Sequence, residues 1–271
     1  MNSSNGPIGL FDSGVGGLTV ARAIARRLPN EDILYFGDTA HLPYGEKSPD
    51  LIRKFSLEIA NHLIKKGAKI IVIACNSASA IAYEFLSKQL DVPVFNVIDP
   101  IVQELEKYQS QSIGIWGTRA TINSNVYQEK LNKLLPKAQI RSTATPLLVP
   151  LIEENLLKGN ITESLIKYYL DKSQVNHLNH LVLACTHYPL IASQISRQLK
   201  SQVTLLRTPS IVADHLEIEL KRLQLLKKNS SLTNYHFSVS DITPTFKEIG
   251  KIFFGTGINL EEENIWESNS I

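Results

Sequence analysis

The chain has 271 residues, a formal net charge of +2 at pH 7 and 43% hydrophobic residues. This length allows a large core and predicts two domains, while the near-neutral charge argues against a nucleic-acid partner. No apolar run approaches the roughly 18 residues of a transmembrane helix, and residues 1–6 lack the basic and apolar regions of a signal peptide. We therefore expect no membrane partner and a cytoplasmic location, with reduced cysteines.

The N-terminal segment predicts a strand, a glycine-rich loop and a helix. The strand covers residues 7–11, the loop runs from Asp12 to Gly17, and the helix covers 18–28. This combination is typical of an anion-binding site. The loop lacks the Gly-Lys-Ser/Thr ending of a nucleotide P-loop. For Asp12, the spacing alone favours a helix-capping or turn role.

Three further strand–helix pairs are predicted before residue 108. The strands cover residues 32–36, 71–73 and 92–96, and the helices cover 49–66, 78–89 and 99–107. A polar loop over 37–45 follows the strand at 32–36, at the end of the strand where a site would lie. The strict alternation of strands and helices predicts a parallel sheet with helices on both faces.

The alternation restarts at residue 112 and continues toward the C-terminus. Strands are predicted at residues 112–117, 138–143, 147–151, 181–183, 204–206 and 235–240. Helices are predicted to start near residue 123 and to cover 161–172, 189–199, 209–225 and 244–253. Residues 227–231 are interpreted as a solvated turn or linker, and the tail after residue 255 is expected to be frayed.

One short pattern occurs twice and holds the only two cysteines of the chain. In each copy, an apolar run is followed by alanine, cysteine and two small or polar residues. Such a run predicts a strand buried on both faces, so Cys75 and Cys185 would stand at strand carboxyl ends, where α/β sheets bind ligands. A following helix N-terminus would favour thiolates. A lone buried cysteine usually acts as a small hydrophobe, but the duplication favours an active site with one thiol on each side of a substrate.

Five blocks of the sequence together resemble the cofactor-independent glutamate racemases of the aspartate/glutamate racemase family. The blocks cover residues 8–19, 35–45, 74–80, 117–121 and 184–190. They occur in the family's order, and the resemblance extends from the first strand to about residue 225. Related aspartate racemases share the two cysteines but not the whole set, so the set favours glutamate.

The resemblance implies an α/β fold of two Rossmann-like domains whose parallel sheets face each other across a central cleft. One domain would comprise residues 1–97 plus 208–271 and carry Cys75. The other would comprise residues 98–207 and carry Cys185. The resemblance also implies no pyridoxal phosphate, metal or flavin cofactor. Dimers are common in the family, so a homodimer is the assembly that the resemblance suggests.

The resemblance also assigns site residues. The implied catalytic residues are Cys75, Cys185, Asp12 and His187. The implied substrate-binding residues are Asp12, Ser13, Tyr44, Gly45, Asn76, Ser77, Thr118, Thr121, Glu153, Thr186 and His187. At Tyr44 and Gly45 the implied contact is made by the backbone to a substrate carboxylate. Ser77 stands where threonine is more common in the family, and it keeps the hydroxyl.

The expected reaction is the interconversion of L-glutamate and D-glutamate by an isomerase. Inverting an α-carbon requires proton removal on one face and proton delivery on the other, which two opposed thiols can perform without moving. Asp12 would assist Cys75, and His187 would assist Cys185. Through the family, D-glutamate production implies a role in bacterial peptidoglycan synthesis and therefore in the cell wall and cell shape.

Other classes of protein remain open from the residues. A cysteine hydrolase could use Cys185 and His187 but leaves Cys75 unexplained. A cysteine phosphatase is excluded, because Ile81 and Ile191 stand where its arginine would be. A zinc site lacks closely spaced ligand pairs. A two-domain binding protein would share the fold without needing two equivalent thiols, and activity on aspartate depends on a pocket length that the sequence does not show.

Overall fold

A computed structural model describes residues 4–108, 112–228, 233–255 and 257–266. Ten strands occur in these ranges. In chain order they are β1 Ile8–Asp12, β2 Ile33–Gly37, β3 Ile70–Ile73, β4 Val94–Asn96, β5 Ser112–Gly117, β6 Gln139–Ala144, β7 His180–Ala184, β8 Thr204–Leu205, β9 Tyr235–Val239 and β10 Leu260–Glu262. A six-stranded sheet has the order β10-β9-β2-β1-β3-β4, and a four-stranded sheet has the order β6-β5-β7-β8. Every strand pairing is parallel.

Eleven α-helices connect or follow these strands within the same ranges. They are α1 Leu18–Arg27, α2 Pro49–Lys65, α3 Asn76–Gln89, α4 Ile98–Lys107, α5 Arg119–Asn123, α6 Val126–Leu134, α7 Leu148–Glu153, α8 Asn160–Ser173, α9 Ala192–Gln198, α10 Thr208–Arg222 and α11 Pro244–Phe253. The helix N-terminus predicted at Ser48 is confirmed, since its hydroxyl accepts a hydrogen bond from the Leu51 amide. None of the helices in the described ranges has the length and apolarity needed to span a membrane.

The predicted α/β class with two parallel sheets is confirmed, and the strands that carry the cysteines lie inside the sheets. β3 pairs with β1 and β4, and β7 pairs with β5 and β8. All four residues of β3 are buried, as expected for a strand covered on both faces. The carboxyl ends of both strands therefore open into the space between the sheets.

The chain contributes its two ends to the six-stranded sheet and its middle to the four-stranded sheet. One apolar cluster includes buried residues of both sheets, from Ile8 and Leu10 of β1 to Ile113 and Ile115 of β5. Because this core is continuous, strand membership alone does not locate a domain boundary. The division at residues 97–98 and 207–208 stays a prediction.

The strand predicted at residues 147–151 is wrong, because this segment forms the helix α7. Its buried residues are Leu148, Val149, Leu151 and Ile152, which is the spacing of one helical face. A short apolar run can be a buried strand or a buried helix, and its periodicity does not separate them. The correction matters for the site, since α7 ends at Glu153.

The prediction of a frayed tail after residue 255 is also wrong. Residues Leu260–Glu262 form β10, which pairs with β9 at the edge of the six-stranded sheet. Leu260 is buried and anchors this strand, while the two glutamates are exposed, as is common at sheet edges. Of the turn predicted at 227–231, Lys227 is not solvated but pairs with Asp32 at 2.7 Å. Residues 229–231 lie outside the described residues.

Candidate active site

The two cysteines line one cavity between the two sheets. Cys75 stands two residues after the end of β3, and Cys185 directly follows β7. The same cavity is lined by nine further residues from the predicted set, namely Ser13, Tyr44, Gly45, Asn76, Ser77, Thr118, Glu153, Thr186 and His187. The cavity volume is about 20 Å³, which is room for about one water molecule. The walls must therefore separate to admit an amino acid.

Cys75 caps the N-terminus of α3, which begins at Asn76, two residues earlier than predicted. Its thiol donates to the Ser13 hydroxyl, with Sγ and Oγ 3.6 Å apart. Burial raises the pKa of Cys75 to about 12, and the nearby Asp12 carboxylate contributes. The Ala78 amide and the Ser13 hydroxyl lower the pKa in part. In the structure Cys75 is therefore a neutral thiol at pH 7.

The raised pKa of Cys75 predicts an unusual pH dependence of alkylation. In a Cys185→Ala variant, the rate of Cys75 modification by iodoacetamide should keep rising past about pH 10, because only the thiolate reacts. An ordinary thiol, with a pKa of about 8.5, would level off earlier. The urea-unfolded variant is the control and should show that earlier plateau. A plateau near pH 9 in the folded protein would contradict the assignment.

Cys185 has a different environment, formed by His187 and Glu153. The Cys185 Sγ lies 3.8 Å from His187 Nδ1, and His187 Nε2 lies 3.1 Å from Glu153 Oε1. Burial lowers the pKa of His187, but the hydrogen bonds and charges of Cys185 and Glu153 outweigh it and raise the pKa to about 10. The arrangement places an imidazolium beside the second thiol.

The helix predicted directly after Cys185 differs in the structure. A 3-10 turn over Tyr188–Ile191 precedes α9, which begins only at Ala192. Cys185 therefore lacks the α-helix N-terminus that Cys75 has. The imidazolium of His187, beside the Cys185 sulfur, supplies positive charge instead. The two halves of the site are similar in sequence but not equivalent in electrostatics.

Asp12 lies behind the cavity rather than on its wall. Its Oδ2 accepts from the Gly17 amide at 2.8 Å, so Asp12 holds the glycine-rich turn before α1, although α1 has no side-chain cap. Its Oδ1 accepts from the Thr186 hydroxyl at 3.5 Å. Burial raises the pKa of Asp12, although the charge of His187 opposes this. Asp12 thus contacts the segment that follows Cys185 as well as influencing Cys75.

Hydroxyl contacts bridge the two sides of the cleft. Ser77 Oγ lies 2.8 Å from Thr118 Oγ1 and 3.4 Å from Thr121 Oγ1, so Thr121 reaches the site through other hydroxyls rather than lining the cavity. Two glycines permit the close approach. A Cβ on Gly45 would lie 2.7 Å from the Thr118 Cβ, and one on Gly16 would lie 2.4 Å from an imidazole atom. Side chains at these positions would push the walls apart.

Tyr44 lines the cavity, and its side-chain hydroxyl is bound to a buried carboxylate. Its hydroxyl donates to Asp38 at 2.6 Å, and Ser240 donates to the other oxygen of that carboxylate at 2.9 Å. Asp38 is fully buried. The loop that carries Tyr44 and Gly45 is thereby anchored to the segment after β9.

Sequence reasoning missed several cavity residues and one contact behind the cavity. Leu42, Pro43 and Val149 line the cavity, and Val149 was placed in a strand. The Tyr127 hydroxyl donates to Asn76 Oδ1 at 2.9 Å. Tyr127 lies outside the five family blocks, and only its spacing on the buried face of α6 could have indicated that it points inward. For the zinc hypothesis, the described ranges contain no metal-binding group of three or more His, Cys, Asp or Glu residues.

Comparisons with known proteins identify the family of this chain. Residues 12–216 match the family model of the Asp/Glu/Hydantoin racemases. A glutamate racemase of Aquifex pyrophilus is 43% identical over 92% of this chain and 94% of its own. A glutamate racemase of Geobacter metallireducens is 39% identical over 92% of each chain.

A solved structure shows the same fold. The glutamate racemase of Francisella tularensis, in complex with D-glutamate, superposes with a TM-score of 0.90 at 37% identity. That match covers 97% of this chain and 99% of the other. The chain therefore belongs to the Asp/Glu/Hydantoin racemase family, and the relatives named above, at 37–43% identity, are glutamate racemases.

Proposed function

We propose that this protein is a glutamate racemase that interconverts L-glutamate and D-glutamate, with Cys75 and Cys185 acting on opposite faces of the α-carbon. The observation that carries the proposal is that both thiols line one small cavity that is otherwise rich in hydrogen-bond donors. The similarity to glutamate racemases, including one that binds D-glutamate, supports glutamate as the substrate.

The reaction begins with a thiolate removing the α-proton, which leaves negative charge spread onto the α-carboxylate. The backbone amides at the start of α3 and the side chains of Asn76, Ser77 and Thr186, three residues that line the cavity, would stabilise this charge. The opposite thiol then delivers its proton to the other face. A cavity as small as this one excludes bulk water, which strengthens each of these contacts.

Ionisation of Cys75 needs a compensating charge, because burial keeps it protonated. The α-ammonium group of a bound amino acid supplies a positive charge close to the thiol, and such a charge lowers a thiol pKa. Substrate binding would thus activate the Cys75 side. On the Cys185 side, the imidazolium of His187 is present before substrate arrives. We propose that the substrate's α-ammonium charge near Cys75 and the imidazolium charge near Cys185 serve opposite directions of the same reaction.

Asp12 and His187 are proposed to assist the two half-reactions unequally. Asp12→Asn and His187→Asn should each reduce turnover by about 10-fold or more, with different ratios of forward to reverse maximal rate, because positioned acid–base groups contribute about 10²–10⁴-fold. Initial rates from each enantiomer at fixed enzyme concentration measure this. Wild-type rates in both variants would show that the two residues have only structural roles. Thermal unfolding of each variant should be compared with wild type to detect effects on folding.

Substrate entry requires opening of the cavity. We propose that residues 98–207 and the remainder of the chain move apart as the two predicted domains. The interactions that would break include the Ser77–Thr118 hydrogen bond and the exposed ion pair between Glu46 and Arg119, whose closest atoms lie 3.8 Å apart. Exposed ion pairs contribute little stability, so this pair adds little to the cost of opening.

The proposed function is tested by following the optical rotation of pure L-glutamate and pure L-aspartate with no cofactor added. We expect loss of rotation with L-glutamate and little change with L-aspartate. The D-glutamate formed would serve bacterial peptidoglycan synthesis in the cytoplasm, and a homodimer is the proposed assembly. Unchanged rotation with L-glutamate, at enzyme concentrations that allow many turnovers, would refute the proposal.

A cysteine hydrolase is the second candidate, because Cys185, His187 and Glu153 form a thiol–imidazole–carboxylate series. A hydrolase would need only Cys185 and would tolerate Cys75→Ala. Ester or amide hydrolysis that survives this substitution would favour it. The presence of Cys75 in the same cavity favours the racemase.

A further inference from the structure

Asn76 faces two regions of the molecule. It lines the cavity between the cysteines, and it also borders a second, smaller cavity that is lined by Tyr127. It is the first residue of α3, directly after Cys75. Its Oδ1 accepts the hydrogen bond from the Tyr127 hydroxyl at 2.9 Å, and Tyr127 is 3% exposed. The buried Tyr127 on α6 therefore holds the Asn76 side chain at the N-terminus of α3, directly after Cys75.

The orientation of this amide decides what it offers a ligand. An asparagine side chain has an acceptor oxygen at one end and a donor NH₂ group at the other. A carboxylate only accepts hydrogen bonds, so it needs the NH₂ group and is repelled by the oxygen. Within the described residues, Asn76 Nδ2 has no hydrogen-bond partner. With the oxygen bound to Tyr127, the NH₂ group is the end that remains for the cavity.

Tyr127 is suited to hold the Asn76 amide in this orientation, with the amide oxygen bound to the phenol. Burial raises the pKa of its phenol, so the hydroxyl keeps its proton and can donate. It reaches Asn76 from α6, the second helix after β5 of the four-stranded sheet, whereas Asn76 follows β3 of the six-stranded sheet. This hydrogen bond thus connects the part of the chain that carries the six-stranded sheet with the part that carries the four-stranded sheet, at a position next to Cys75.

We infer that Tyr127 is a positioning residue for racemisation, which fixes the Asn76 amide so that its NH₂ group faces the substrate α-carboxylate. This inference rests on the proposed function. The α-carboxylate is the relevant group because Asn76 is adjacent to Cys75, which acts on the α-carbon. That carboxylate gains charge when the proton leaves, so a correctly oriented donor contributes most in the transition state.

The direct test is Tyr127→Phe, which removes one oxygen atom and preserves the ring. We expect kcat/KM to fall about 10-fold in both directions, because both enantiomers place a carboxylate at the same donor. This is smaller than the about 10²–10³-fold loss when such a donor is deleted. The matched control is Tyr169→Phe. Tyr169, on α8, is equally buried, but its hydroxyl accepts from the Leu147 amide and it does not line the cavity of the two cysteines, so kcat/KM should stay within about 2-fold.

A double-mutant cycle separates orientation from general packing. Asn76→Ala removes the amide and should lower kcat/KM about 100-fold. In that background, Tyr127→Phe should change kcat/KM by less than about 2-fold, because no amide remains to be oriented. Full additivity of the two losses would overturn the inference, as would a Tyr127→Phe variant with wild-type kcat/KM. Either result would leave the proposed function intact.

Asn76→Asp gives an independent test that leaves Tyr127 in place. The aspartate can still accept from Tyr127, but it presents a second oxygen where the NH₂ group was. Its charge is favourable at a helix N-terminus, so the fold should persist. We expect a loss of at least about 100-fold in kcat/KM that includes a fall in kcat, because the α-carboxylate gains charge in the transition state. Retention within about 3-fold would overturn the inference even if Tyr127→Phe failed to fold. A wild-type protein without racemase activity would refute the proposed function itself.

Discussion

Replacing either Cys75 or Cys185 with alanine is expected to lower racemisation by about 10²–10⁴-fold in both directions. In the proposed mechanism each turnover needs one thiolate and one thiol, and each sulfur exchanges these roles when the direction reverses. Loss of either sulfur therefore blocks both directions. The measurement is the initial rate from pure L-glutamate and from pure D-glutamate. A single variant that retains more than about a tenth of wild-type turnover would exclude the two-base scheme.

Serine variants are the matched control for this pair of substitutions. Cys75→Ser and Cys185→Ser retain a small polar side chain of similar size, but a hydroxyl ionises far less readily than a thiol. Loss of activity in the serine variants would therefore reflect acid–base chemistry. Both cysteines are buried, so thermal unfolding should be compared with wild type to detect any packing effect. Activity in a serine variant without activity in the alanine variant would indicate a role in binding instead.

The positions of the two cysteines could be predicted from the sequence because strand periodicity and sheet topology are local properties. A buried apolar run indicates a parallel strand, and the carboxyl ends of parallel strands open to one side of a sheet. These rules placed Cys75 and Cys185 at strand ends, as the structure has them. They could not show that two different sheets would face each other, which came from the family resemblance alone.

The remaining features depend on contacts between distant segments. Helix α7, which ends at Glu153, was predicted as a strand because a short apolar run fits both structures. The strand β10 is held by Leu260, and the only other residues of β10 are two exposed glutamates. The hydrogen bond from Tyr127 to Asn76 joins two distant residues of the chain, and no sequence pattern links them. The unequal environments of the two thiols arise in part from neighbours outside the repeated motif, namely Ser13 beside Cys75 and Glu153 beside His187.

Early deuterium incorporation should distinguish one base on each face from a single mobile base. If Cys75 and Cys185 act on opposite faces, the proton removed from L-glutamate stays on the sulfur that removed it. The other sulfur carries a proton from solvent. In heavy water, the D-glutamate formed at early times should therefore contain deuterium at the α-carbon. The remaining L-glutamate should contain almost none, because return to the starting face uses the original proton.

The experiment starts from pure L-glutamate and is sampled at a few per cent conversion, before the reverse reaction contributes. The enantiomers are separated, and the α-deuterium content of each is measured by mass spectrometry. A single base that moved between faces would either label both pools or carry the original hydrogen into the product. Comparable early labelling of substrate and product would therefore contradict one cysteine per face, provided that each sulfur exchanges with solvent more slowly than it returns its proton. The buried position of both thiols favours slow exchange. Starting from D-glutamate should give the mirror result, with Cys75 as the base that acts on the D form.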